Sequence, residues 1–164
     1  MHPRKATRSD WKIQPMSELR TQLRVEEIFT KEEYKYLSWG FIPVSMDDKW
    51  FIYLEDYWLY FHRSWTGFCI FKVRLEKFED GYSIAEAWVN DDPEQKFIYG
   101  ENIDFLLTLI HLRIKNSRED EYRYLRVIIA ALICILLNDA YQSYLSIFEI
   151  KVLCNFYPKS VFND

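Results

Sequence analysis

A chain of 164 residues is close to the commonest size of one domain. With 49% hydrophobic and 18% aromatic residues against four glycines and five prolines, it lies far from disordered or low-complexity compositions. A formal net charge of −4 excludes the broadly basic surface that grips nucleic-acid phosphates, so no nucleic-acid partner is expected.

Residues 1–15 carry scattered charge without periodicity and read as a mobile tail in which Trp11 and Ile13 dock on the body. No continuous apolar segment follows the basic start, which argues against a secretory signal. From Ser17, read as an N-cap, Leu19, Leu23, Ile28 and Phe29 predict a short helix. Thr30 and Glu33 have the spacing of a capping box, opening a second helix that Gly40 closes after Trp39.

Aromatic and β-branched residues then predict strands over 49–54, 58–64, 68–77 and 82–90. The links between them are too short for parallel crossovers, so the strands form a four-stranded antiparallel meander. Pro93 ends the fourth. An amphipathic helix over 102–117 follows, with Ile103, Leu106, Leu107, Ile110 and Ile114 on one side. A charged break at 118–121 separates it from a central apolar helix over 122–138, and residues 140–156 read as helix with strand as the alternative. The apolar run 127–137 is shorter than the about 20 residues of a bilayer span, so no membrane partner is expected. The class predicted is α+β: a four-stranded antiparallel meander (45–95) with N-terminal helices and a C-terminal helical layer (100–158), in a single domain over 1–164. Cys69, Cys134 and Cys154 lack CxxC spacing and sit among apolar residues, consistent with reduced thiols in the cytoplasm.

Strand alternation sorts side chains onto two faces. Leu59, Phe61, Cys69, Phe71, Val73, Leu75, Ala85, Ala87 and Val89 form the face that helices would cover. Trp58, Tyr60, His62, Lys72, Arg74, Glu86 and Trp88 form the other. That second face reads either as a ligand surface of aromatics with converging polar groups, or as a shield whose Lys72, Arg74 and Glu86 make cross-strand ion pairs worth under about 1 kcal/mol each. Arg63 falls on the apolar side of Leu59 and Phe61, where a charge needs a partner. Either it binds an anionic group bidentately while Trp65 stacks on a flat ring, or it pairs with a carboxylate such as Asp104 or Glu101.

The ligand-binding candidates are therefore His62, Arg63, Ser64, Trp65, Thr66, Lys72, Arg74 and Trp88. No residue is assigned a catalytic role: His62 stands at no spacing that specifies a triad, and GxGxxG, GxxxxGK[ST], HExxH and GxSxG are all absent. No metal or cofactor is expected, and the pairs Asp47-Asp48 and Asp91-Asp92 read first as solvated turn residues.

The hairpin sequence Lys49-Trp50-Phe51-Ile52-Tyr53, followed by Leu59-Tyr60-Phe61-His62-Arg63-Ser64-Trp65-Thr66-Gly67, resembles a family of small, poorly characterised bacterial proteins over residues 45–95. Members of that family are encoded beside, or fused to, macro domains and ADP-ribosylglycohydrolases. The resemblance implies a place in NAD or ADP-ribose metabolism and carries over no catalytic residue. Two functions stand as expectations: binding, with or without processing, of a nucleotide-type ligand; or a non-catalytic, antitoxin-like accessory module that binds a protein partner or a second copy through its C-terminal helices.

Overall fold

The computed structural model describes residues 4–95 and 103–136. It is an α+β fold with an antiparallel sheet of six strands: β1 (Arg20–Leu23), β2 (Ile28–Thr30), β3 (Trp50–Glu55), β4 (Trp58–Arg63), β5 (Cys69–Lys77) and β6 (Gly81–Asn90). Helix α1 spans Lys31–Trp39 and helix α2 spans Ile103–Leu136, with a short 3-10 turn at Arg8–Asp10. The chain divides into two units, Pro3–Glu119 and Asp120–Asp164, the latter grouped with Met1–His2.

Strands β3 to β6 run as consecutive antiparallel neighbours. The sheet has six strands rather than four because the segment expected as the first N-terminal helix is extended. β1 pairs with residues 87–90, and β2 pairs with residues 81–83, both along the outer edge of β6. Leu19 and Ile28, which suggested an apolar helix face, are 60% and 69% exposed. An unpaired edge of a ten-residue strand offers backbone hydrogen bonds that this segment takes up in place of helical ones.

Helix α1 begins as its residues dictate. The Thr30 hydroxyl accepts from the Glu33 amide at 3.1 Å, and the Glu33 carboxylate accepts from the Thr30 amide at 2.9 Å. Gly40 ends it at φ +61, with its amide donating to the Leu37 carbonyl at 3.0 Å.

β3 and β4 join through Asp56 and Tyr57, both at positive φ (48 and 65), which is the backbone of a two-residue hairpin turn matched to strand twist. The core holds Leu59, Phe61, Ile70, Phe71, Val73, Leu75, Ala87 and Val89 from the sheet, Tyr36 and Leu37 from α1, and Leu106, Ile110 and Ile114 from α2. No interruption occurs at residues 118–121: these residues lie inside the continuous helix α2, since Arg, Glu and Asp without Gly or Pro do not terminate one. In the second unit, Tyr122, Leu125, Val127, Ile129 and Ile133 of α2 are exposed. The segment 140–156, with Cys154, lies outside the described residues. Among the described residues, no helix is long and apolar enough to cross a membrane.

Residues 6–14 lie along the body, where Trp11 and Ile13 dock as expected. The Ala6 amide donates to the Trp39 carbonyl, Trp11 stacks on Phe51 at 6.4 Å between ring centres, and the Gln14 amide donates to the Gly67 carbonyl at 2.8 Å. Ala6, Phe51 and Tyr53 form a second small core against which Trp11, Ile13 and Tyr60 pack.

Candidate functional site

Two irregularities in the sheet decide which side chains meet. Between β4 and β5, Phe61 pairs with Phe71 and His62 with Cys69, leaving Ile70 as the extra residue of a bulge. The bulge turns Cys69 to the His62 side and Ile70 into the core, against the strict alternation that put Cys69 with Phe71. A second bulge, where Arg74 pairs with Glu86 and Leu75 with Ile84, makes Ala85 the extra residue and sends Ile84 and Tyr82 to the core side. Between the bulges, Trp58, Tyr60, His62, Lys72, Glu86 and Trp88 share one face as alternation predicts.

That face forms a cleft of about 460 Å³, lined also by Tyr53, Cys69, Arg8, Arg20 and residues 13–16. Residues 11–16 form a strap along it that hydrogen-bonds to the 64–67 turn. Trp11 Nε1 donates to the Ser64 carbonyl at 2.8 Å, the Gln14 amide to the Gly67 carbonyl, and Gln14 Nε2 to the Thr66 carbonyl at 3.4 Å. Gly67 is required there: at φ +81 a Cβ would stand 2.9 Å from the Lys12 carbonyl oxygen. A shallower depression of about 540 Å³ adjoins the cleft, sharing Arg8 and Ile13 and adding Thr7, Ser9 and Glu55.

Tyr53, His62 and Cys69 are almost fully buried and make the floor of the cleft. Tyr53 stacks on Tyr60 at 4.8 Å and on His62 at 5.7 Å. Burial raises the phenol pKa of both tyrosines and pushes the Cys69 thiol up to about 12, so Cys69 stays protonated. Burial likewise lowers the pKa of His62 below its ordinary value, outweighing the opposing hydrogen bond to Gly67. The neutral imidazole is anchored to a backbone carbonyl, and no carboxylate contacts it among the described residues.

Charge stands toward the open side. Lys72 Nζ lies 3.8 Å from the Trp58 ring centre and 5.5 Å from that of Tyr60, and the Arg20 guanidinium lies 5.5 Å from Trp88. The Lys72 ammonium and the Arg8 guanidinium make no hydrogen bond or ion pair among the described residues. Glu86 is committed elsewhere: Arg74 Nε donates to its Oε1 at 2.7 Å and Trp88 Nε1 to its Oε2 at 3.3 Å, holding its carboxyl below the usual range.

Of the eight residues singled out by sequence, His62, Lys72 and Trp88 come together around the cleft. Arg74 buttresses it through Glu86. The other four build the turn that holds the strap. Ser64 is buried, its hydroxyl donating to the Asp48 carbonyl at 2.6 Å, and Trp65 donates to the Met46 carbonyl at 3.2 Å with Lys49 over its ring at 4.3 Å. Thr66 Oγ1 accepts from the Phe68 amide, and the Arg63 guanidinium lies 5.0 Å from the Trp50 ring centre at the margin of the core.

The paired acids serve turns and loop contacts. Asp48 accepts from the Val44 and Ser45 amides, Asp92 from Ser17 and the Glu94 amide, and Asp91 from Thr21. Among the described residues, no group of three or more His, Cys, Asp or Glu is placed to hold a metal. Sequence reasoning missed Tyr53, Arg8, Arg20 and Cys69. Alternation along β3 was a usable signal for Tyr53, which pairs directly with Tyr60; Arg8 gave none.

Comparison of the chain with models of known protein families, with curated proteins and with solved structures finds no match.

Proposed function

We propose that this protein binds a small, flat, anionic ligand of nucleotide type in the strapped cleft, in the setting of NAD or ADP-ribose metabolism that the hairpin resemblance implies. The observation that carries the reading is that two cations with no hydrogen bond or ion pair among the described residues, Arg8 and Lys72, open onto one cleft walled by Trp58, Tyr60 and Trp88. The ring faces stack a base, and the cations take phosphate oxygens in a partly desolvated setting where such contacts are strong. The cleft supplies no activated nucleophile, since Cys69 is held as a thiol. Binding is the function it supports. Calorimetry with ADP-ribose, NAD and AMP tests this: at least one binds, Lys72→Ala and Arg8→Ala each weaken it about tenfold, and Arg63→Ala does not. No heat with any of them, or wild-type affinity in both cleft variants, overturns the reading.

A second reading, a protein-interaction or antitoxin-like module using the C-terminal helices, rests on the exposed Tyr122, Leu125, Ile129 and Ile133, spaced three and four apart on α2. Light scattering that reports a monomer, with no stoichiometric partner in a pull-down, counts against it.

A further inference from the structure

One buried side-chain polar atom in the cleft has no hydrogen-bond partner among the described residues. His62 Nδ1 lies 2.8 Å from the Gly67 carbonyl oxygen, which only accepts, so Nδ1 carries the proton and Nε2 presents a lone pair. Nε2 is buried with no hydrogen-bond partner among the described residues, on a side chain only 2% exposed. An acceptor in that position, unanswered by the protein, costs roughly tenfold to hundredfold in an equilibrium constant, and it sits on the floor of the one cleft that also holds Arg8 and Lys72.

The surroundings of the imidazole narrow the donor. Phe51, Tyr53 and Tyr60 all lie within 6.3 Å of its ring centre, so the floor is aromatic on several sides and suits the edge of a flat ring better than a hydroxylated sugar. The Cys69 thiol, which faces the same cleft, points its donor at the Phe71 carbonyl at 3.5 Å. The charged groups lie toward the rim, which orients a ligand with its phosphate outward and its ring edge at the floor. Residues 13–16 of the strap line the same cleft.

We propose that His62 Nε2 accepts a hydrogen bond from an exocyclic amino group on the ligand's ring, so that the site selects an amino-substituted, adenine-like purine over the same purine bearing hydrogen at that position. This rests on the cleft being the nucleotide site proposed above. A site built around a buried acceptor rejects a ligand without the donor, because the lone pair is then left unpaired beneath it.

The test is calorimetric titration of the full chain with AMP, purine riboside 5′-monophosphate and ribose 5-phosphate. Wild type is expected to bind AMP at least tenfold tighter than either other probe. His62→Phe is expected to erase the difference between the two purines, and His62→Gln, which keeps an acceptor oxygen, to retain part of it. The 15N resonance of His62 Nε2 in wild type gives a readout that does not depend on the variants folding: AMP shifts it and purine riboside 5′-monophosphate does not. Equal affinity for the two purines, or equal affinity for AMP and ribose 5-phosphate, overturns the proposal while the anion cleft stands. Absence of binding by all three probes overturns the nucleotide reading and this proposal with it.

Discussion

Gln14 and His62 donate to the same atom: the Gly67 carbonyl oxygen accepts from the Gln14 amide and from His62 Nδ1, each at 2.8 Å. One carbonyl therefore sets both the position of the strap and the tautomer of the imidazole on the cleft floor. Gly67→Ala places a Cβ against the Lys12 carbonyl and forces a positive φ on a residue that resists it, at a cost of about 1–2 kcal/mol. The expected outcome is a lower melting temperature together with faster hydrogen exchange at the Gln14 amide. Unchanged protection at Gln14 would show that the strap is held without this carbonyl.

The burial of His62 makes stability depend on pH in a definite direction. Its folded pKa lies below the ordinary 6.5, so as pH falls the unfolded chain takes up the proton first, and stability is lost from about pH 6.5 down toward the folded value. Thermal unfolding between pH 7.5 and 5 should show this loss, and His62→Gln should flatten it. Asp10, Asp48 and Glu86, held below their ordinary values of 3.8, 3.8 and 4.5, place their own loss in a separate window at lower pH.

Tyr57 sits at φ 65 in the β3–β4 turn, a conformation that glycine adopts freely and tyrosine does not. Its side chain is about half exposed and makes a tilted ring contact with Tyr34 at 6.5 Å. Tyr57→Gly is expected to stabilise the fold by about 1 kcal/mol, read as a higher denaturation midpoint at constant slope. A lower midpoint would mean the Tyr34 contact outweighs the backbone strain.

The first turn of α1 depends on Thr30, whose replacement by Ala removes one half of the reciprocal cap. The expected loss is about 1 kcal/mol in urea unfolding. Arg74→Met offers a contrast, because its ion pair with Glu86 is about one-third exposed on each side and contributes under about 1 kcal/mol. Its larger effect is expected on the ligand: releasing Glu86 beside Lys72 places a free carboxylate on the cleft and should weaken binding of an anion. Unaltered affinity would separate Glu86 from the site.

The antiparallel run β3 to β6 was legible because links of two to five residues leave strands no choice but to turn back on their neighbours, and the Thr30–Glu33 cap because both partners lie within one helical turn. The segment 17–30 was not, since its state is set by the free edge of β6, some sixty residues away in sequence. The bulges at Ile70 and Ala85 carry no glycine to announce them, so alternation sorted the two faces correctly only between them. For the site, alternation found the aromatic wall, His62 and Lys72, whereas Arg8 reaches the rim only because the N-terminal segment folds back. The polarity of residues 63–66 was a true signal, but what most of it answers is the backbone of the turn and strap.

The two ends of the sheet bear on how copies of the chain meet at high concentration. On the β6 side the outermost strands are four and three residues long and are interrupted by the run Arg24-Val25-Glu26-Glu27. On the β3 side, Phe41 and Ile52 exchange both backbone hydrogen bonds, at 2.7 and 2.9 Å. A second molecule approaching either end finds charge, a broken row or an occupied one in place of a long run of open amides, which is how sheet proteins escape runaway strand-to-strand stacking.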